Sequence, residues 1–344
     1  MLNHSVRRDV ASRAVLLAIG LACVTPLACR SREHERTLTL GAFSTLREAY
    51  DRAIIPAFQR HWRMRTGETV NFRRSYQGSG GQSRAIVSGF EADVAVLSLP
   101  GDIDRIARAG LITHDWRAGP AGGMVTRSIV AIAVRRGNPR GIHGWDDLRR
   151  PGLSVLTPDV RTSGGAMWNI AALYGAALRA DPASAQAFLA AVLRNVSTMD
   201  RGARESMITF ERGIGDAAIT YESEVLVGRR GGQTYELVTP RSTILIENPA
   251  AVVDAYATAH GNRDLANAFV EFLHGAEAQR AFAARGLRPV HAEVAREVAV
   301  RYRHPADLFT IGDLGGWAEI QRTLFLPNAR YDRAIALAAN STHP

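Results

Sequence analysis

From Thr37 onward the chain alternates between short apolar runs and longer stretches whose apolar positions recur every third or fourth residue. TLTLGAF, residues 37–43, reads as a first strand. The next stretch sets Tyr50, Ile54, Phe58 and Trp62 four apart, one face of a helix. Pro56 falls inside it and predicts a kink or break, because proline has no N–H to give the preceding turn. TVNF, ADVAVLSL, SIVAIAVR and LSVLTP predict further strands. DPASAQAFLAAVLRNV predicts a helix capped by Asp181, and VSTM and DAAITYES two more strands. On the second of these, Glu222 and Glu224 would face the same side, a structural pair rather than an acid–base one. STILIENPAAVVDAY reads as a strand in two parts, and DLANAFVEFLHGAEAQRAFAARG as helical. Strands alternating with helices predict an α/β fold of mostly parallel sheets joined by crossovers.

Such sheets bind ligands at the carboxyl ends of their strands, where loops lead into helices. Three of these junctions are rich in glycine and serine. One is RTSGGAMW, residues 161–168, after LSVLTP. A second is QGSGGQSRAIVSGF, with Ser79 between Gly78 and Gly80-Gly81. The third is DRGARESMITFERGIG, where Gly202 and Ala203 open a helix. One junction alone reads first as a helix cap and only second as an anion seat. Three in one chain point to a shared polar cleft. Its donors would be backbone N–H groups and the Ser79 and Ser163 hydroxyls rather than charged side chains. That suits a small multivalent anion held by dipoles. Six hydrogen bonds to a charged group, at roughly 1.5–3 kcal/mol each, give roughly 10–18 kcal/mol before closure and ordering are subtracted. A micromolar site needs only about −8 kcal/mol.

Composition narrows the alternatives. The chain has 344 residues, 46% of them hydrophobic and 22% charged, enough for two ordinary domains. Its net charge of +9 rests wholly on arginine, since there is no lysine. The arginines are scattered rather than striped with aromatics, which argues against nucleic acid as a partner. Without lysine there is no P-loop, the glycines lack a dinucleotide fingerprint, and no G-x-S-x-G elbow surrounds either serine. No H-E-x-x-H or C-x-x-C pattern calls for a metal, and no cofactor is expected. The ten histidines are dispersed. Residues 1–29 differ from the rest. Arg7, Arg8 and Arg13 precede AVLLAIGLACV, and PLAC follows, the layout of an export signal. Both cysteines, Cys23 and Cys29, lie there, and Cys29 is a candidate for lipid attachment. An exported chain with at most one cysteine forms no internal disulfide.

These motifs resemble a known set. GSGGQSRAIVSGFEADVAVLSL, SIVAIAVRRGNPRGIHGWDDL and PGLSVLTPDVRTSGGAMWN look like the periplasmic sulfate-binding proteins of ABC transporters, in order and spacing. So do GARESMITFERGIGDAAITYESE, ILIENPAAVVD and FTIGDLGGW, which extends the resemblance from about Thr37 to Phe325. The resemblance implies a type II periplasmic-binding-protein fold. Its two lobes would be joined by crossovers near Ser128–Val134 and Glu247–Val253. Lobe one would hold residues 37–127 and 250–344, and lobe two residues 128–249. It implies a non-catalytic, monomeric binding protein that closes on sulfate or thiosulfate and hands it to a permease in the inner membrane. Carried over position by position, the anion contacts fall on Ser79 and the Ser163 hydroxyl. They continue with the backbone N–H groups of Gly164, Gly165 and Ala203. The family's tryptophan donor is replaced by Tyr221. Ser44 stands where the family has an aspartate, and Gly81 where it usually has lysine. A cradle made only of donors favours sulfate over phosphate, which keeps a proton near neutral pH. Tyr221 and Ser44 soften that preference, because a hydroxyl also accepts. A sensory binding protein using the same cradle, and a hydrolase using Ser79 or Ser163, are the competing readings.

Overall fold

The computed structural model describes residues Glu35–Asn340, so the export segment and Cys29 lie outside the described residues. Among the described residues, ten strands form one sheet system. They are β1 (Glu35–Phe43), β2 (Thr69–Gln77), β3 (Val94–Val96), β4 (Met124–Val134) and β5 (Val155–Leu156). After them come β6 (Val196–Thr198), β7 (Ala217–Tyr221), β8 (Glu236–Val238), β9 (Ser242–Val252) and β10 (Asp307–Phe309). Their order is β2-β1-β3-β9-β4-β7-β5-β6, with β8 on β4 and β10 on β9. β1 runs parallel to β2 and β3, and β5 runs parallel to β6 and β7. Between these two parallel groups stand β4 and β9, antiparallel to each other over Met124–Ile129 and Leu245–Pro249.

Both central strands are long enough to serve two halves. Beyond their mutual pairing, Val130–Val134 of β4 join β7, and Ala250–Val252 of β9 join β3. Ile129 to Val134 are buried throughout, as the unbroken apolar run SIVAIAV requires of a strand covered on both faces. β9 is one continuous strand rather than two parts. Pro249, which has no N–H for the ladder, sits opposite Met124, where the register slips before Thr126, so the irregularity absorbs it.

Other expectations need correcting. Pro56 does not break its helix. The turn before it, Tyr50–Ile54, widens to a π-type turn, and the α-helix Ile55–Thr66 begins with the proline in its first turn. Tyr50, Ile54, Phe58 and Trp62 all face inward, with Phe58 4.8 Å from the Phe269 ring. Each such side chain contributes roughly 1.5–3 kcal/mol by burial. Asp181 does not cap the Ala185–Arg194 helix. It organises the turn before it, its carboxylate accepting from the Ala183 N–H at 3.0 Å, and Ser184 holds the N-cap position.

Glu222 and Glu224 are not on a strand. β7 ends at Tyr221 and the helix Glu222–Arg230 begins there, so the two carboxylates diverge. Glu222 meets Arg288 and Glu224 meets Arg204. The chain's last elements also pack elsewhere than expected. β10 pairs with Ser242–Ile244, the Arg330–Asn340 helix lies on Ala185–Arg194, and Trp317 stacks edge-on against Trp168 at 4.6 Å. A Cβ on Gly175 would come within 2.7 Å of the Phe309 ring, so that glycine admits the segment. Residues from Asp307 onward therefore pair and pack with elements of the 128–249 half.

Candidate functional site

Each of the three Ser/Gly junctions opens a helix in the structure. β2 leads through Gly78 into Ser79–Val87, Ser163 is the N-cap of Gly164–Ala180, and Gly202 is the N-cap of Ala203–Glu211. At each, the first N–H groups have no intrahelical partner. The junctions are distant in sequence but adjacent in space. The Gly81 N–H donates to the Thr162 carbonyl at 3.3 Å. A Cβ on Gly78 would lie 2.6 Å from both the Thr162 and Arg201 carbonyl oxygens, so only glycine lets the three loops meet there.

The residues singled out from the sequence come together around this point. A Cβ on Gly165 would stand 3.2 Å from the Ala203 Cβ, 3.3 Å from the Ser163 Oγ and 3.6 Å from a Tyr221 ring carbon. Ser44 donates to the Glu205 carboxylate at 3.2 Å, beside Gly202. Ser44, Ser79, Ser163, Ala203 and Tyr221 are all buried. The Ser163 Oγ accepts from the Ala166 N–H at 3.3 Å, so the helix-cap reading of that serine is correct as far as it goes. The cap and the convergence coexist, because a hydroxyl that accepts one bond still has a proton to give.

Ser79 is more constrained than its sequence suggests. Its Oγ accepts from the Ser98 N–H at 2.9 Å and donates to Asp102 at 2.6 Å. Asp102, on the Pro100–Arg108 helix, is held in turn by Arg105 at 2.6 Å. The hydroxyl proton of Ser79 is therefore engaged with a carboxylate.

Sequence reasoning missed Ser98, at the centre of the arrangement. Its hydroxyl lies 2.7 Å from the Tyr221 hydroxyl. Its carbonyl accepts from the Trp168 indole at 2.9 Å and the Asn248 amide at 3.1 Å. A Cβ on Gly164 would come within 2.9 Å of the Ser98 Cβ. The signal was present, because Ser98 follows the carboxyl end of β3 and precedes a helix. It lacked only the glycine that marked the other junctions.

Charge around the site is mixed and self-compensated. Arg204, next to Ala203, is spent on Glu211 at 3.1 Å and Glu224 at 3.4 Å. Burial pushes the Glu224 carboxyl up to about 7, against the pull of Arg204. Burial likewise holds the Tyr221 phenol well above its ordinary value, so it is a neutral donor and acceptor. The Arg84 guanidinium lies beside the first junction, its Nη1 3.4 Å from where a Cβ on Gly80 would stand. Three helix N-termini add their positive potential there.

Two three-strand parallel groups bridged by two long antiparallel strands, with helix N-termini gathered where they meet, define a two-lobed solute-binding protein of the type II periplasmic kind. Residues 38–288 match the family of bacterial extracellular solute-binding proteins. A sulfate-binding protein of Synechococcus elongatus is 38% identical over 300 residues, covering 86% of this chain and 85% of the relative. A thiosulfate-binding protein of Escherichia coli K12 is 32% identical over 331 residues, covering 93% of this chain and 97% of the relative. Among solved structures, the sulfate-binding protein SubI from Mycobacterium tuberculosis H37Rv superposes with a TM-score of 0.79 at 37% identity, covering 85% of this chain and all of that one. The chain belongs to the bacterial extracellular solute-binding proteins, in the branch that holds the sulfate- and thiosulfate-binding proteins. That membership places its work outside the cytoplasm.

Proposed function

We propose that this protein captures sulfate or thiosulfate between its two lobes and delivers it to an ABC permease. The supporting observation is the meeting of three helix N-termini at Gly78, Thr162 and Arg201, a cradle of backbone donors. In this reading Gly164, Gly165 and Ala203 give backbone N–H groups, and Ser163 and Tyr221 give hydroxyls. Ser44 and Ser79 complete the wall, Ser79 through its bonds to Ser98 and Asp102. Lobe one takes residues 37–127 and 250 to about 304, while lobe two takes 128–249 and the C-terminal segment from Asp307. Closure of the lobes on the anion is the state the permease recognises. The protein acts as a monomer, and Cys29 attaches it to lipid after export.

A hydrolase finds no support in the contacts of either serine. Ser79 bonds to Asp102 and the Ser98 backbone, and Ser163 to the Ala166 backbone, with no histidine among these partners to take a proton. Calorimetric titration of the exported chain with sulfate, thiosulfate, phosphate, molybdate and an organic acid tests the proposal. Heat and a raised unfolding temperature with sulfate or thiosulfate are expected. Failure of both to bind would refute it.

A further inference from the structure

The hydroxyl pair Ser98–Tyr221 has a property that a fixed N–H donor lacks. When two hydroxyls bond to each other, one gives its proton and the other keeps its own free. If Ser98 donates, the phenol proton is left for the ligand. If Tyr221 donates, the phenol oxygen is left with a lone pair and can accept from a ligand O–H. The separation of 2.7 Å fits either direction. Both groups are buried.

Ser98 is fixed in the position this exchange needs. Its N–H is bonded to Ser79, and its carbonyl receives both Trp168 and Asn248. The Asn248 amide is a second partner of the phenol, but it already accepts from the Thr126 hydroxyl at 3.2 Å and donates to the Ser98 carbonyl at 3.1 Å. The Ser98 oxygen, at 2.7 Å, is the acceptor for the Tyr221 proton that is not shared with Thr126. Tyr221 in turn lies against Gly165, the first turn of the helix expected to hold the anion.

We propose that Ser98 is a positioning residue that sets ligand selectivity through Tyr221, letting the site take a singly protonated tetrahedral oxyanion as well as a fully ionised one. The inference rests on the anion-binding reading above. With a dianion bound, Ser98 donates to Tyr221 and the phenol donates to the ligand. With a protonated oxyanion, the ligand O–H donates to the phenol oxygen. The phenol proton then turns to Ser98, whose own proton is left for another ligand oxygen. Remove the Ser98 hydroxyl and the second arrangement leaves the buried phenol proton only the Asn248 amide oxygen, which Thr126 already uses, while the first survives.

The test compares sulfate and inorganic phosphate binding by calorimetry in the wild-type protein, Ser98→Ala, Tyr221→Phe and the double variant. Ser98→Ala is expected to weaken phosphate about tenfold more than sulfate, the factor that follows from losing one hydrogen bond to a buried hydroxyl. In the Tyr221→Phe background the same change should leave the phosphate-to-sulfate ratio unmoved, because Ser98 then has no phenol to serve. Unfolding temperatures of all four proteins separate loss of fold from loss of selectivity. An unchanged ratio in Ser98→Ala overturns the proposal, as does an equal change in the Tyr221→Phe background. Wild-type protein that binds sulfate but no phosphate at millimolar concentration also overturns it, while sparing the sulfate reading. Failure to bind sulfate and phosphate alike refutes the reading beneath it.

Discussion

Gly164→Ala separates closure from stability more cleanly than removal of any donor. Gly164 is the first residue of its helix, and its φ lies outside the left-handed region, so alanine fits the backbone. The added methyl keeps the Gly164 N–H. It would, however, stand 2.9 Å from the Leu99 Cγ, 2.9 Å from the Ser98 Cβ and 3.0 Å from the Ser98 Oγ. Ordinary carbon contacts are about 3.5–4.0 Å, so all three are overlaps. Ser98 is held by its hydrogen bonds to Ser79, Trp168 and Asn248, so it does not move aside freely. Overpacking of this kind costs about 1–3 kcal/mol. If the overlap forms only when the loops close on an anion, sulfate binding should weaken between about fivefold and about 150-fold.

The ligand-free protein should show the opposite sign. Alanine in a helix is favoured over glycine by up to about 1 kcal/mol, so the unfolding temperature without ligand should hold or rise. Calorimetry with sulfate and thermal unfolding without it read the two effects separately. Gly165→Ala is the internal control, because its methyl meets Ala203 and Ser163 at 3.2–3.3 Å, slighter overlaps from which a smaller loss follows. Sulfate affinity within twofold of wild type would refute the argument. So would a ligand-free unfolding temperature that falls in step with the affinity, since the contact would then belong to the resting fold.

Other outcomes follow from the buried charges. Arg288→Ala leaves the Glu222 carboxylate without its two bonds at 2.7 and 3.0 Å, and should cost about 3–5 kcal/mol in urea unfolding. Replacing both with apolar residues should cost less. The Glu224 carboxyl titrates near 7 in the folded chain against 4.5 when free, so the folded state binds that proton more tightly. Its stability contribution is full below 4.5 and is lost as pH rises through about 7, by roughly 3 kcal/mol. Glu224→Gln should flatten that part of the stability–pH profile, and an unchanged profile would place the titration elsewhere.

What the sequence made legible and what it hid divide along a physical line. Junctions built from glycine and serine declare themselves, because the need for close backbone approach restricts the residue types allowed. Gly78, pressed between two carbonyl oxygens, leaves no room for any side chain. The order of strands and helices was equally open to reading, since burial dictates periodicity. What stayed hidden depends on partners far away in the chain. A serine at the end of β3 looks like any serine until Tyr221, 123 positions on, supplies its partner. The end of β7 is hidden for a similar reason. TYESE has strand-like alternation, yet Arg288 and Arg204 draw its two glutamates in different directions, and only a helix separates them so. Pro56 and Pro249 show the converse error. Local rules forbid an undisturbed helix or ladder there, and a π turn and a register slip meet the prohibition without ending the element. The site thus combines a part fixed by backbone sterics and a part fixed by long-range hydroxyl pairing. In the proposed function anion capture rests on the first. The proposed discrimination between anions rests on the second, which is why a change as small as the Ser98 oxygen is the sharper probe of what this chain selects.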